Sequence, residues 1–95
     1  MIIVPAGDGI DVLEALDFKR FSLRLEAGAT QADNSAVSFD GDTAWIAEAA
    51  LRGWPRGRTL PGWQEGLSAM IAFARTKGWV RPGDGAVRAH VERKG

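Results

Sequence analysis

His90 is the one histidine in the chain, and Arg88 and Glu92 stand at alternate positions beside it. On an extended strand these three side chains project from one face while Val87, Ala89 and Val91 project from the other. An imidazole next to a carboxylate can act as a general base, and a neighbouring guanidinium can hold an anionic substrate. His90 and Glu92 are therefore the candidate catalytic pair, with Arg88 as an anion clamp. The same alternation also describes an ordinary solvent-facing strand, and no nucleophile stands at motif spacing from the histidine. On balance the residues lean away from an enzyme.

A second set alternates cations with indoles: Arg52, Trp54, Arg56, Arg58 and then Trp63. Such a series can grip phosphate or stack on bases. It can equally be the wet rim of a small core plugged by Trp54 and Trp63. The chain carries 12 basic and 12 acidic residues, for a formal net charge of zero. A dedicated nucleic-acid binder would be basic, so nucleic acid is a disfavoured partner for the Arg52–Arg58 loop. Four tryptophans, Trp45, Trp54, Trp63 and Trp79, all adjoin expected helix or strand ends. There an aromatic body can be buried while its N–H reaches a carbonyl. Trp45, Trp54 and Trp63, with Arg56 and Arg88, are the candidate ligand-binding residues of an aromatic cleft between sheet and helix. Such a cleft suits a small hydrophobic or anionic molecule.

Metal and cofactor chemistry finds little support. The chain has no cysteine, which excludes disulfides, thiolate zinc sites and iron–sulfur clusters within it. A calcium loop beginning at Asp40 or Asp8 needs a glutamate twelve positions on, where Leu51 and Lys19 stand instead. Neither Gly7-Asp8-Gly9 nor Gly83-Asp84-Gly85 has phosphate-loop spacing. No metal and no cofactor are expected.

The elements that would position these residues follow from periodicity. Ile2–Val4 reads as a strand ended by Pro5, and Ala6-Gly7-Asp8-Gly9 as a turn. Asp11 with Glu14 resembles a capping box, which predicts a short helical stretch through Leu13 and Leu16. Phe21, Leu23 and Leu25 alternate as a half-buried strand. Residues 28–35 are small and polar and read as a loop. Asp40-Gly41 between apolar runs predicts a hairpin with strands near 36–40 and 43–46, although Thr43 could instead start a helix. Ala47–Arg52 reads as a helix. A longer one begins near Pro61, its apolar stripe formed by Trp63, Leu67, Met70, Ile71 and Ala74, and ends at Gly78. Trp79 and Val80 are expected to re-enter the core, and Val87–Val91 forms the last strand.

Assembled, these elements predict an α+β fold: a small single-layer, mainly antiparallel sheet with two or three helices packed on one face. Residues 1–95 form one domain, with 92–95 as a frayed tail. No apolar run suits a membrane, and the opening Met1-Ile2-Ile3-Val4-Pro5 lacks a signal-peptide pattern, which points to a bacterial-type cytoplasmic protein. Residues 1–48 hold nine acidic and three basic residues, and residues 49–95 three acidic and nine basic. That polarity suits copies associating head to tail or in antiparallel pairs, unless the halves interleave and neutralise one another. The sequence therefore favours a non-catalytic interaction module acting as a homodimer; the alternative is a small enzyme or ligand-binding protein with a Trp-lined pocket and His90 as its acid–base residue, and the third is a weak nucleic-acid binder through the Arg52–Arg58 loop.

Overall fold

The computed structural model describes residues 1–26 and 28–93. Strands β1 (Ile2–Ala6) and β2 (Gly9–Leu13) form a hairpin with a two-residue turn. Gly7 carries that turn at φ 57°, a backbone conformation that costs a glycine little. Strand β3 (Ser22–Leu25) lies parallel to β1. A second two-residue hairpin joins β4 (Val37–Asp40) to β5 (Thr43–Ile46), as the Asp-Gly pair predicts. Helix α1 (Glu48–Arg52), a 3-10 turn (Pro55–Thr59) and helix α2 (Trp63–Thr76) follow. Strand β6 (Val87–Arg93) then returns to the sheet. The spatial order is β2-β1-β3-β6-β5-β4, with β6 parallel to β3 and antiparallel to β5.

This corrects the expected fold class. The sheet is mixed and six-stranded, it curls into a half-barrel, and the protein is mostly β. Among the described residues only α2, at 14 residues, is a helix of substantial length. One expected helix is absent because residues 9–13 pair with β1 instead. Ile10 and Val12 turn to the core while Asp11 and Leu13 face away, a period of two that so short a segment cannot distinguish from a helical turn. Asp11 therefore caps no helix. Its carboxylate accepts the Val12 amide (2.9 Å) and the Trp54 indole N–H (3.2 Å). Pro5 does not end β1, because β3 pairs only with Ile2 and Ile3. Beyond Ile3 that flank has no ladder for a missing N–H to interrupt.

The interior of the half-barrel is filled by α2. Trp63, Leu67, Ile71 and Ala74 are buried on its inner stripe, against a sheet face that includes Ile3, Leu23, Val37, Ile46 and Val91. Leu51 and Trp54 close one end. Polar bonds draw the two edges of the sheet together. Asn34, just ahead of edge strand β4, donates from Nδ2 to the Gly7 (3.3 Å) and Gly9 (3.1 Å) carbonyls at the tip of the β1–β2 hairpin. Its Oδ1 accepts the amides of Ala36 and Val37 at 2.8 and 2.9 Å. Asp8 adds a parallel tie, accepting the Ser35 hydroxyl (2.6 Å) and amide (3.0 Å), and those bonds lower its pKa. The curl thus comes from strand twist, from the helix inside, and from this tie between the edges.

The acidic and basic halves of the sequence interleave, since β6 sits between β3 and β5. Direct neutralisation is sparse all the same. Among the described residues the ion pairs are Glu48 with Arg52 (2.8 Å) and Arg75 (3.8 Å), and Arg81 with Asp84. Of the residues expected in a frayed tail, 92–95, Glu92 and Arg93 continue β6, and 94–95 lie outside the described residues.

Candidate functional site

Strand β6 changes neighbours along one flank, and the break creates a site. From His90 onward that flank is paired with β3, beginning at Ser22. Nearer its start Val87 is bridged to Val80, and the Arg88 amide donates to the Trp79 carbonyl at 2.8 Å. Phe21 and Trp79 therefore stand where one neighbour gives way to the other. On the helix side of the sheet they line a cavity of about 420 Å³ with Phe18, Met70, Phe73 and Arg88. On the far side a shallower one of about 420 Å³ adds Thr43 and His90. Phe21, Trp79 and Arg88 border both.

The local sequence explains why these aromatics are not core. Phe73 lies off the buried stripe of α2 and is 56% exposed. The helix ends in a Schellman motif: the Gly78 amide donates to the Arg75 carbonyl (3.2 Å) and the Trp79 amide to the Ala74 carbonyl (2.9 Å), with Gly78 at φ 76°. That reversal pins the Trp79 backbone against β6 and lays its indole edge-on to Phe73, ring centroids 6.1 Å apart. Trp79 is left 41% exposed, so the expectation that it re-enters the core is corrected. Val80 behind it is half-buried and packs on the core.

The groove has one sign of charge. Lys19 and Arg88 line it, and the Lys77 ammonium sits 5.5 Å from the Phe73 ring centroid. No carboxylate lines the helix-side cavity among the described residues. The 14–21 loop that supplies Phe18, Lys19 and Phe21 is held at its end by the Met1 ammonium, which donates to the carbonyls of Asp17 and Arg20 (2.8 Å). Burial there lowers the pKa of that amine.

Of the residues singled out in the sequence, Arg88 and His90 do reach this site, together with Thr43 on the register row of His90. Arg88, His90 and Glu92 are exposed on the outer sheet face, as the alternation predicts. Glu92 does not line the pocket with His90; it lies level with Arg24 on β3. The three other tryptophans do not form a common cleft. Trp54 and Trp63 are buried in contact, centroids 5.0 Å apart. Trp45 is half-buried on the outer face beneath the Arg81 guanidinium, 5.2 Å from its ring. The Arg52–Arg58 series is also divided. Arg52 bonds Glu48 (2.8 Å) and Gln64 (3.3 Å), and Arg56 stacks on Trp54 at 5.7 Å. Phe18, Phe21 and Phe73 also belong to the site and carry no motif in the sequence; the one local signal is the place of Phe73 off the helical stripe.

Arg81 is itself held by Asp84, through Nε at 3.0 Å and Nη2 at 2.5 Å. This pairing, with the Ala86 amide bond, holds the Asp84 carboxyl at about 2. A folded pKa below the unfolded value, about 3.9, gives stability that is complete above the unfolded value. It is lost as pH falls towards 2. An NMR titration of the Asp84 carboxyl should find its midpoint near 2; a midpoint near that of a free aspartate would show that Arg81 does not hold the turn.

Among the described residues no three His, Asp or Glu side chains are placed to hold a metal ion, and no helix is long and apolar enough to cross a membrane. The chain matches no protein-family model, and no curated protein or solved structure is found to resemble it.

Proposed function

We propose that this protein is a non-catalytic interaction module that works by self-association, the groove of Phe21, Phe73 and Trp79 being the surface that a second copy covers. One observation carries the reading. Two large aromatic side chains stand side by side at 56% and 41% exposure, on a chain whose core is small and needs its aromatics. Contiguous exposed apolar surface with a polar rim is characteristic of association sites, where Trp and Phe are enriched. The cationic rim of Lys19, Lys77 and Arg88 favours a partner surface of opposite sign.

The test is substitution at the surface itself. Phe73→Ser with Trp79→Ser removes no buried contact of the inner stripe, so circular dichroism should report an intact fold. Sedimentation equilibrium should show wild-type mass rising above the 10.2 kDa of one chain as concentration increases, and the double variant remaining at one chain. Equal concentration dependence in both proteins would remove the groove from the account.

A second reading is favoured by the outer mouth of the same break, where Arg88, His90 and Thr43 surround Phe21 and Trp79. That set suits a small flat molecule carrying an anion, held by Arg88 with the rings on either side. Trp79 fluorescence reports such binding, and a spectrum unchanged by aromatic carboxylates up to millimolar levels would count against it.

A further inference from the structure

We infer that the partner surface for the Phe73/Trp79 groove is the Leu13/Leu16 ledge of a second copy, so that copies associate head to tail. This rests on the self-association reading and specifies its geometry. The exposed large hydrophobics among the described residues are four: Phe73 and Trp79 in the groove, and Leu13 and Leu16, at 40% and 51% exposure, beside edge strand β2. Leu13 and Leu16 border a hollow of about 670 Å³ with Leu60, Glu14 and Asp17. The two surfaces share no lining residue, although the 14–21 loop contributes to both.

Charge decides between the possible pairings. The groove is rimmed by Lys19, Lys77 and Arg88. The ledge carries Glu14 and Asp17, and its one cation, Arg56, lies over the Trp54 ring at 5.7 Å. Lys19, Lys77, Glu14 and Asp17 form no direct ion pair among the described residues; the partly buried Met1 ammonium lies near both carboxylates but donates to the Asp17 and Arg20 carbonyls. A two-fold pairing of groove with groove sets cations against cations, and ledge with ledge sets carboxylates against carboxylates. Only the heterologous contact, groove on ledge, brings opposite rims together over apolar centres. A contact of that kind leaves a free groove at one end and a free ledge at the other, so assembly continues past two copies unless it closes into a ring.

The deciding experiment mixes two variants and reads mass by light scattering. Phe73→Ser/Trp79→Ser retains only the ledge, and Leu13→Ser/Leu16→Ser retains only the groove. Each alone should be monomeric, and the equimolar mixture should form one-to-one dimers and nothing larger. If the ledge variant alone associates as the wild type does, the ledge is not the partner surface, while the groove reading stands. If the groove variant alone associates as the wild type does, the groove reading itself fails. Two monomeric variants that do not pair on mixing also overturn the head-to-tail contact. Should the leucine variant not fold, Glu14→Lys serves in its place, since Glu14 is an exposed loop residue. It should weaken wild-type association several-fold and be rescued by mixing with Lys77→Glu; unchanged association would overturn the proposal.

Discussion

Trp63→Ala should cost about 3–5 kcal/mol, the range found when a large buried aromatic is truncated. Trp63 is fully buried at the start of α2, between Phe18 (centroids 6.1 Å) and Trp54 (5.0 Å). Its indole edge lies so close to Gly57 that a Cβ there would stand 2.4 Å from Nε1. The backbone of the 3-10 turn is built around the ring, so the turn cannot collapse into the vacated space without losing its own bonds. A domain of this length is stable by roughly 5–15 kcal/mol, and each kcal/mol shifts its melting midpoint by about 4–8 °C. The variant should therefore melt roughly 12–40 °C below the wild type. Trp63→Phe is the informative control. The Nε1–H is buried without an acceptor among the described residues, a condition that costs about 1–3 kcal/mol. Removing that group offsets much of the lost ring area, so phenylalanine should cost less than half of what alanine does. Urea unfolding followed by circular dichroism separates the two. An alanine variant within about 1 kcal/mol of wild type would show that the helix is not anchored through this ring.

Asn34→Ala should cost about 2–4 kcal/mol, from four hydrogen bonds worth about 0.5–1.5 kcal/mol each with partial replacement by water. Two of those bonds are local, to Ala36 and Val37, and shape the entry into β4. The other two reach Gly7 and Gly9 across the open side of the half-barrel. Asn34→Asp separates the roles. Its carboxylate still accepts both amides but faces the Gly7 and Gly9 carbonyls with charge instead of a donor. The expected result is that Asp loses most of what Ala loses, with amide exchange accelerating in edge strands β2 and β4 and staying slow in β3 and β6. An aspartate variant as stable as wild type would mean that the bond between the edges contributes nothing and that α2 alone sets the curl.

Where the chain has a strong local pattern, the sequence was readable. Asp40-Gly41 marked the second hairpin, the Trp63–Ala74 stripe marked the inner face of α2, and Val87, Ala89 and Val91 marked the inner face of β6. Residues 10–16 carry a capping-box pattern that predicts a helix, and pairing of residues 9–13 with β1, which has no local signature, overrides it. Strand order has no local signature, so the insertion of β6 between β3 and β5 could not be foreseen. The same gap hid most of the candidate site. Arg88 and His90 were visible as an outward-facing pair, but their meeting with Phe21 and Trp79 depends on a break in pairing between segments some 60 residues apart. Asn34 was concealed in a polar loop for the same reason: its partners Gly7 and Gly9 are 27 and 25 residues away.

In solution, the exposed Phe73 and Trp79 should be covered by another copy of this chain. Light scattering on the wild-type protein, across a concentration series at low and at high salt, is the deciding measurement. The expected result is a mass above 10.2 kDa that grows with concentration, is reduced but not abolished by salt because the contact is apolar at its centre, and carries no nucleic-acid absorbance. A mass fixed at one chain across the whole series, at either salt, would mean that no second copy covers these rings.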